Sequence, residues 1–494
     1  MSDEIEISGG GSTMVATDGM RAGLDQLRHL QHHLESCHRE VAAMTVNGIA
    51  PRATSSLLDA SHELHLASTR CRRLVTAVTT SIELYSEANH AVLTAVRSAS
   101  SVAAWEVGFM LYSNPSLAGG LLVAGLGILG LGMSTGLLGF ALGLVRSFAR
   151  EHPALLNNHV LPEIISEIEM NCDDFWDGLH GRPYGSAARK AQSMKGGPDD
   201  GYGHPSELAL SASAIATALA QLGMLRETGI RVERVRHTLA IRPVDSVASL
   251  FAGIPVASAQ IGNARVRIDR YVMPDGSLHW VVYVAGTIDF NPVPGTEPFD
   301  MTSNIHGVGH GISPGHPEGT PEQTAASTRA VLEMMHEAGI SPTDPVMIVG
   351  HSQGGTAATE VAARGEFNVR AVASFGSPVG QMIVPGDIKH FIVKNMEDPV
   401  AAMGGPDRDP AAIIYRRDMT AAHALHPGSA FASHTGDAYP SFARKLDHQH
   451  SELGRELHDF VHDFTAGATA GESEYWRAER VPAASDPALQ GAAK

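Results

Sequence analysis

The sequence has only three cysteines, Cys37, Cys71 and Cys172. They are too few and too scattered for a disulfide framework or a cysteine-type zinc site. Basic charge is also short: 36 Lys and Arg stand against 53 Asp and Glu, a net charge of -17. A nucleic-acid footprint needs a basic face, so nucleic acid is excluded as an expected partner. Residues 1–12 are acidic and Gly-rich, without the basic and apolar regions of a cleavable signal peptide. The protein is expected either to stay inside or to leave by a route that needs no cleaved signal. A phosphate-cradling Gly-rich loop followed by Lys is missing as well. His29 with His33, and His458 with His462, have ligand spacing on a helix but lack the Glu beside the first His that a zincin helix carries. They read as solvated histidines, and no metal or organic cofactor is expected.

What is present divides along the chain. Leu24, Leu27, Leu30, Leu34, Cys37, Val41 and Met44 form a narrow helical stripe. Asn47, Gly48 and Pro51 interrupt it, and a second stripe runs from Leu57 through Leu64, Cys71, Val78 and Tyr85 to Val96. Two narrow stripes joined by a short turn pair most simply as an antiparallel hairpin, placed at 1–100. Residues 117–145 carry no charge and are glycine-rich. As one helix they would span ~43 Å at ~1.5 Å per residue, enough for a tilted transmembrane helix. Two shorter buried helices breaking near Ser134 are the soluble alternative. This segment and a helical linker occupy 101–235.

Beyond it the periodicity changes. Val266 to Val272 and His279 to Asp289 are strand-like and joined across the turn signal Pro274-Asp275-Gly276. A long loop, 290–320, reads as a candidate lid. Helices then alternate with apolar strands near 346–349, 370–375 and 388–394. That order indicates an α/β domain over 236–470 with a mostly parallel sheet and helices on both faces. From Gly471 to the end the chain is polar and Ala-rich, and is expected to be a disordered tail.

Gly-x-Ser-x-Gly occurs three times, so the pattern alone decides nothing. Ser134 sits inside the apolar segment with no base near it. Ser313 is followed by Pro314, which has no N–H to offer an oxyanion. Gly350-His351-Ser352-Gln353-Gly354-Gly355 has an apolar strand running in and a helix running out, the setting of a nucleophile elbow. Ser352 is therefore the candidate nucleophile, and the Gln353 N–H the first oxyanion donor. The strand Trp280 to Val284 ends in Ala285-Gly286-Thr287, which makes the Thr287 N–H the second.

A serine needs a base, and the base an acid, in the order Ser, Asp or Glu, His. Asp398, after the strand 388–393, is the candidate acid, with Glu397 and Asp387 as alternates. Of the histidines beyond it, His434 lies in what reads as a loop opening a helix, where a mobile base belongs. His448 and His450 remain open on the residues alone.

Val282 to Thr287, the 350–355 elbow, Phe375-Gly376-Ser377-Pro378 and Glu397-Asp398-Pro399-Val400 together resemble class 3 lipases. More closely, they resemble actinobacterial α/β-hydrolases joined to a helical hairpin like those of type VII (ESX) secretion substrates. The Gly286-Thr287 strand end, the run Pro298 to Thr302, and His434 followed five residues later by Tyr439 match that family's pattern. The resemblance implies a serine esterase or lipase-like enzyme with Ser352, Asp398 and His434 as its triad. A small-molecule or lipid ester substrate, a partner for the helical hairpin, and membrane association or export follow as expectations. The rival expectation is a non-catalytic secretion-associated or membrane-interaction protein that uses the fold as a scaffold.

Overall fold

A computed structural model describes residues 5–9, 16–46, 57–76, 224–308 except 292, 324–419 and 431–481, with isolated positions between 79 and 216. Two compact units emerge, one of residues 12–98 and one of residues 1–11 with 99–494.

The smaller unit is a helical pair, α1 (Ala16–Val46) and α2 (57–76). The Arg72 guanidinium reaches Glu35 at 2.8 Å, and the Cys71 thiol donates to the Leu27 carbonyl at 3.3 Å. His38 Nδ1 lies 3.0 Å from the Ser61 carbonyl oxygen. These contacts run the two helices past each other in opposite directions. Cys37 and Cys71 are free thiols.

The larger unit is built on one nine-stranded sheet, ordered β1-β8-β7-β6-β5-β4-β3-β9-β2. Its strands are β1 (Ile5–Gly9), β2 (Gly229–Leu239), β3 (Val266–Val272), β4 (Leu278–Val284), β5 (Val346–His351), β6 (Val369–Phe375), β7 (Lys389–Asn395), β8 (Ile413–Arg417) and β9 (Ala470–Val481). Strands β4 to β8 are mutually parallel, while β1, β3, β9 and β2 join antiparallel. The sheet is thus mixed, and the expected mostly parallel sheet is corrected. The βαβ order governs only the centre, and strands from both ends of the sequence complete the edges.

Between the strands lie α3 (Val247–Ala252), α4 (Met301–Val308), α5 (Ala326–Glu337), α6 (Gln353–Arg364), α7 (Pro399–Ala402), α8 (Ala438–Leu446) and α9 (Glu452–Thr465). Strand β5 shows why both faces are covered. Val346 and Ile348 pack with Val331 and Met334 of α5 and Val361 of α6. Met347 and Val349 pack on the other side with Leu250, Phe442 and Val461. Each of these four side chains is buried, contributing about 2 kcal/mol of transfer free energy.

Two further readings are overturned. Among the described residues no helix is long and apolar enough to cross a membrane. The fold of the described residues therefore contains no apolar, membrane-spanning helix. Residues 117–145, on which it was placed, lie outside the described residues, and the long described helices carry charged and histidine side chains along their faces. The stretch from Gly471 is not a disordered tail up to Val481, because it forms β9, hydrogen-bonded on both sides by β3 and β2. Likewise β2 begins at Gly229, inside the span read as helical linker. The charges of these two strands hid them, and they are matched across the pair: Arg231 with Glu479 at 2.6 Å and Arg477 with Glu233 at 2.7 Å. Residues 196–204, 309–323 and 482–494 lie outside the described residues, and with them the second part of the candidate lid and the end of the tail.

Candidate active site

β5 ends at His351 and α6 begins at Gln353, so Ser352 alone makes the bend. Its backbone sits at φ 55° and ψ -130°, a conformation rare for a residue with a side chain. Such strain costs about 1–3 kcal/mol and persists only where its surroundings impose it. Here the Ser352 N–H donates to the Phe375 carbonyl at 2.9 Å, and the Gly355 N–H to the Ser352 carbonyl at 3.0 Å. A Cβ at Gly350 would lie 2.2 Å from the Gly354 carbonyl, and one at Gly354 equally close to the Val284 oxygen. The bend therefore closes only with glycine at both positions. Gly286 lies against the serine itself, where a Cβ would come within 2.9 Å of the Ser352 Cβ and 3.5 Å of its Oγ. The loop after β4 is thereby brought beside the Ser352 hydroxyl, at the carboxyl edge of the parallel strands, where open α/β sheets bind ligands.

Asp398 follows β7 and caps α7, accepting the Val400 N–H on Oδ1 at 2.9 Å. Its Oδ2 lies 2.8 Å from Nδ1 of His434 and also accepts the Tyr439 hydroxyl at 2.5 Å. An ionised carboxylate only accepts, so Nδ1 of His434 carries the hydrogen and Nε2 the lone pair. The His434 loop is held by its own N–H on the Phe431 carbonyl (3.0 Å) and by Ser433. The Ser433 hydroxyl donates to the Glu397 carbonyl, and its carbonyl accepts from Asn395, each at 2.7 Å. The ring of His351, next to the serine, stacks on that of His434 with centroids 4.8 Å apart. Burial, reinforced by the neighbouring His434 imidazole, pushes His351 down to about 3, so it is neutral at neutral pH. Tyr439 is raised well above its ordinary 10.0 by burial and by the Asp398 carboxylate, so it stays a donor. Among the described residues, no hydrogen bond joins Ser352 to His434.

The alternates sit elsewhere. Both Glu397 oxygens accept the Met419 N–H, at 3.0 and 3.1 Å, and Asp387 is exposed. His448 is exposed with Nδ1 at 2.7 Å from the Arg444 carbonyl, and His450 is exposed. His458 and His462 lie beside Asp459 and Asp463, their sequence neighbours.

Sequence reasoning missed the supports of the candidate donors Thr287 and Gln353. The Thr287 hydroxyl and the Asn304 side-chain amide of α4 are hydrogen-bonded at 3.0–3.1 Å. The Gln353 amide donates to the Asp300 carbonyl at 2.8 Å. The Asp300 carboxylate accepts the Ser303 N–H and is gripped by Arg480 of β9 through two bonds of 2.9 Å. Arg480 also holds Glu227 at 2.8 Å. Burial pushes Glu227 up, but Arg480, His306 and Arg329 outweigh it and hold the carboxyl at about 2. No spacing rule pairs residues this far apart in sequence. Only Tyr439 left a trace, at its fixed distance from His434.

No family model, curated protein or solved structure matches the chain, so a functional reading rests on this geometry.

Proposed function

We propose that the larger unit is a serine hydrolase that cleaves carboxylic esters, with Ser352 as nucleophile, His434 as base and Asp398 as its orienting acid. One observation carries the reading: a strained serine at a strand-to-helix bend, whose neighbour His351 stacks on the histidine of a bonded aspartate–histidine pair. Nothing in ordinary packing requires a φ of 55° at Ser352, whereas presentation of a nucleophile does.

In the reaction, Oγ of Ser352 attacks the ester carbonyl while Nε2 of His434 takes its proton. Asp398 holds the imidazole and stabilises the charge it gains. The backbone N–H groups of Thr287 and Gln353 receive the oxyanion, each contributing about 3 kcal/mol at the transition state. His434 returns the proton to the leaving alcohol, and an acyl-serine forms. Water, activated by the same imidazole, then releases the acid and restores Ser352. Closing the Ser352–His434 hydrogen bond is left to substrate binding, as is common in unliganded sites.

That unformed bond is the one observation favouring a non-catalytic scaffold. Fluorophosphonate labelling separates the readings. Wild-type protein is expected to label and Ser352→Ala is not. Equal labelling of both would remove Ser352 from the chemistry.

A further inference from the structure

We propose that Tyr439 is a positioning residue that shares Oδ2 of Asp398 with the His434 imidazole and thereby sets how readily that imidazole accepts a proton. The inference rests on the reading of Asp398 and His434 as the acid and base of a hydrolase.

The geometry places two side-chain donors on one oxygen. The other carboxylate oxygen takes the Val400 N–H, so Tyr439 and His434 meet on Oδ2 alone, at 2.5 and 2.8 Å. The phenol has little freedom to leave. Its oxygen accepts the Asn395 N–H at 3.3 Å, which directs its own hydrogen to Asp398. Its ring is 1% exposed and lies against Gly376, where a Cβ would come within 2.6 Å of the ring. The rings of His351 and His434 meet it edge to face, with centroids at 5.3 and 6.1 Å.

A hydrogen bond donated to a carboxylate stabilises its charge and spreads it. Asp398 then has less negative charge to offer an imidazolium than an unshared aspartate would have. His434 is consequently a weaker base, free of its proton at lower pH. The same bond fixes the plane of the carboxylate while the imidazole gains and loses charge.

Among the described residues, other titratable groups lie around the pair. His351, at the end of β5, is neutral and offers its ring face. Arg417 of β8 bonds Asn395 Oδ1 (3.0 Å), the Ala438 carbonyl (2.8 Å) and Ser441 (2.9 Å), and its charge acts on the Tyr439 phenol against the effect of burial. Glu397 is turned to the Met419 N–H. Asp437, at the start of α8, is exposed and paired with Arg444 at 2.8 Å. Among the described residues, only Tyr439 and His434 reach Oδ2 of Asp398.

The test is Tyr439→Phe in the full chain, with kcat/KM for a nitrophenyl ester followed against pH. The acidic limb is expected to move up by about half to one pH unit, with KM unchanged. Fluorotyrosine in place of Tyr439, a stronger donor, should move the limb down. In parallel, the His434 ring is titrated by NMR in histidine-labelled protein, its signal identified by its loss in His434→Gln. The midpoint should rise in Tyr439→Phe and fall with fluorotyrosine. Coincident midpoints, or shifts of the opposite sign, would overturn the proposal even if the rate drops, because a merely structural tyrosine would lower the rate without moving the limb. NMR titration needs no turnover. A protein that does not label at Ser352 thus fails the hydrolase reading while the titration still decides the role of Tyr439. If Tyr439→Phe does not fold, the fluorotyrosine protein decides alone.

Discussion

Strand β7 carries a histidine–aspartate pair at each end, and the two pairs are almost alike. Near its start, Nδ1 of His390 lies 2.7 Å from Oδ2 of Asp409. Just past its end, Asp398 meets Nδ1 of His434 at 2.8 Å. Both pairs are buried, and both aspartates also cap backbone N–H groups: Val384 and Ala411 for Asp409, Val400 for Asp398. The difference lies on the far side of the imidazole. Nε2 of His390 is buried with no partner among the described residues. His434 instead stacks on the residue next to a strained serine, at the edge where the parallel strands end. Under the proposed function, a bonded histidine and aspartate serve as a brace in one place and as a base with its orienting acid in the other. The pair distance alone does not distinguish them.

Two substitutions and an acid series test the difference between the two pairs, from the largest expected effect down. Asp398→Asn should cost about 10⁴-fold in kcat, by presenting the wrong tautomer to Ser352, while the thermal midpoint stays near wild type. His390→Leu should do the reverse. It leaves Asp409 buried without its main partner, at about 3 kcal/mol of stability, read from urea unfolding. Activity per folded molecule should be unchanged, and a loss comparable to that of Asp398→Asn would erase the distinction. The smallest effect is in acid. Burial pushes Asp409 up, but the hydrogen bonds from His390 and the Ala411 N–H outweigh it and hold the carboxyl below its ordinary 3.8. A depressed carboxyl contributes stability above its unfolded value and loses it as pH falls through the folded one. Wild type should therefore lose urea midpoint as pH falls below 3.8 toward the folded value, and His390→Leu, in which the burial of Asp409 is no longer offset by the His390 bond, should lose less of it over the same range.

The brace was invisible in the sequence and the Asp398–His434 pair half visible, for the same reason. Ser352 was legible because its requirements are local: apolar residues before it, glycines at 350 and 354, a helix after. Asp398 could be placed by its position after a strand. Nothing within a few residues of His390 or Asp409 marks them as partners. The same limit hid β9. Glu472, Glu474, Arg477, Glu479 and Arg480 read as a solvated tail, because the residues that neutralise them lie about 240 positions earlier on β2 or across the sheet on β3. Arg480 is the extreme case, a buried cation whose partners Glu227 and Asp300 come from two different loops. Expecting a mostly parallel sheet failed for a related reason, since strand and helix alternation reveals only the strands joined through helices.

Strand β1 adds a kinetic consequence. Ile5 faces Arg417 in the completed sheet, so docking five residues closes a loop on the order of 400 residues, an entropic cost of about 5 kcal/mol. Few local contacts arrive early to offset it, and pairing over such a separation is slow. During refolding β1 should be the last strand acquired. In the native protein it should open without global unfolding, baring the edge of β8 to exchange with solvent or to a protease long before the centre of the sheet yields.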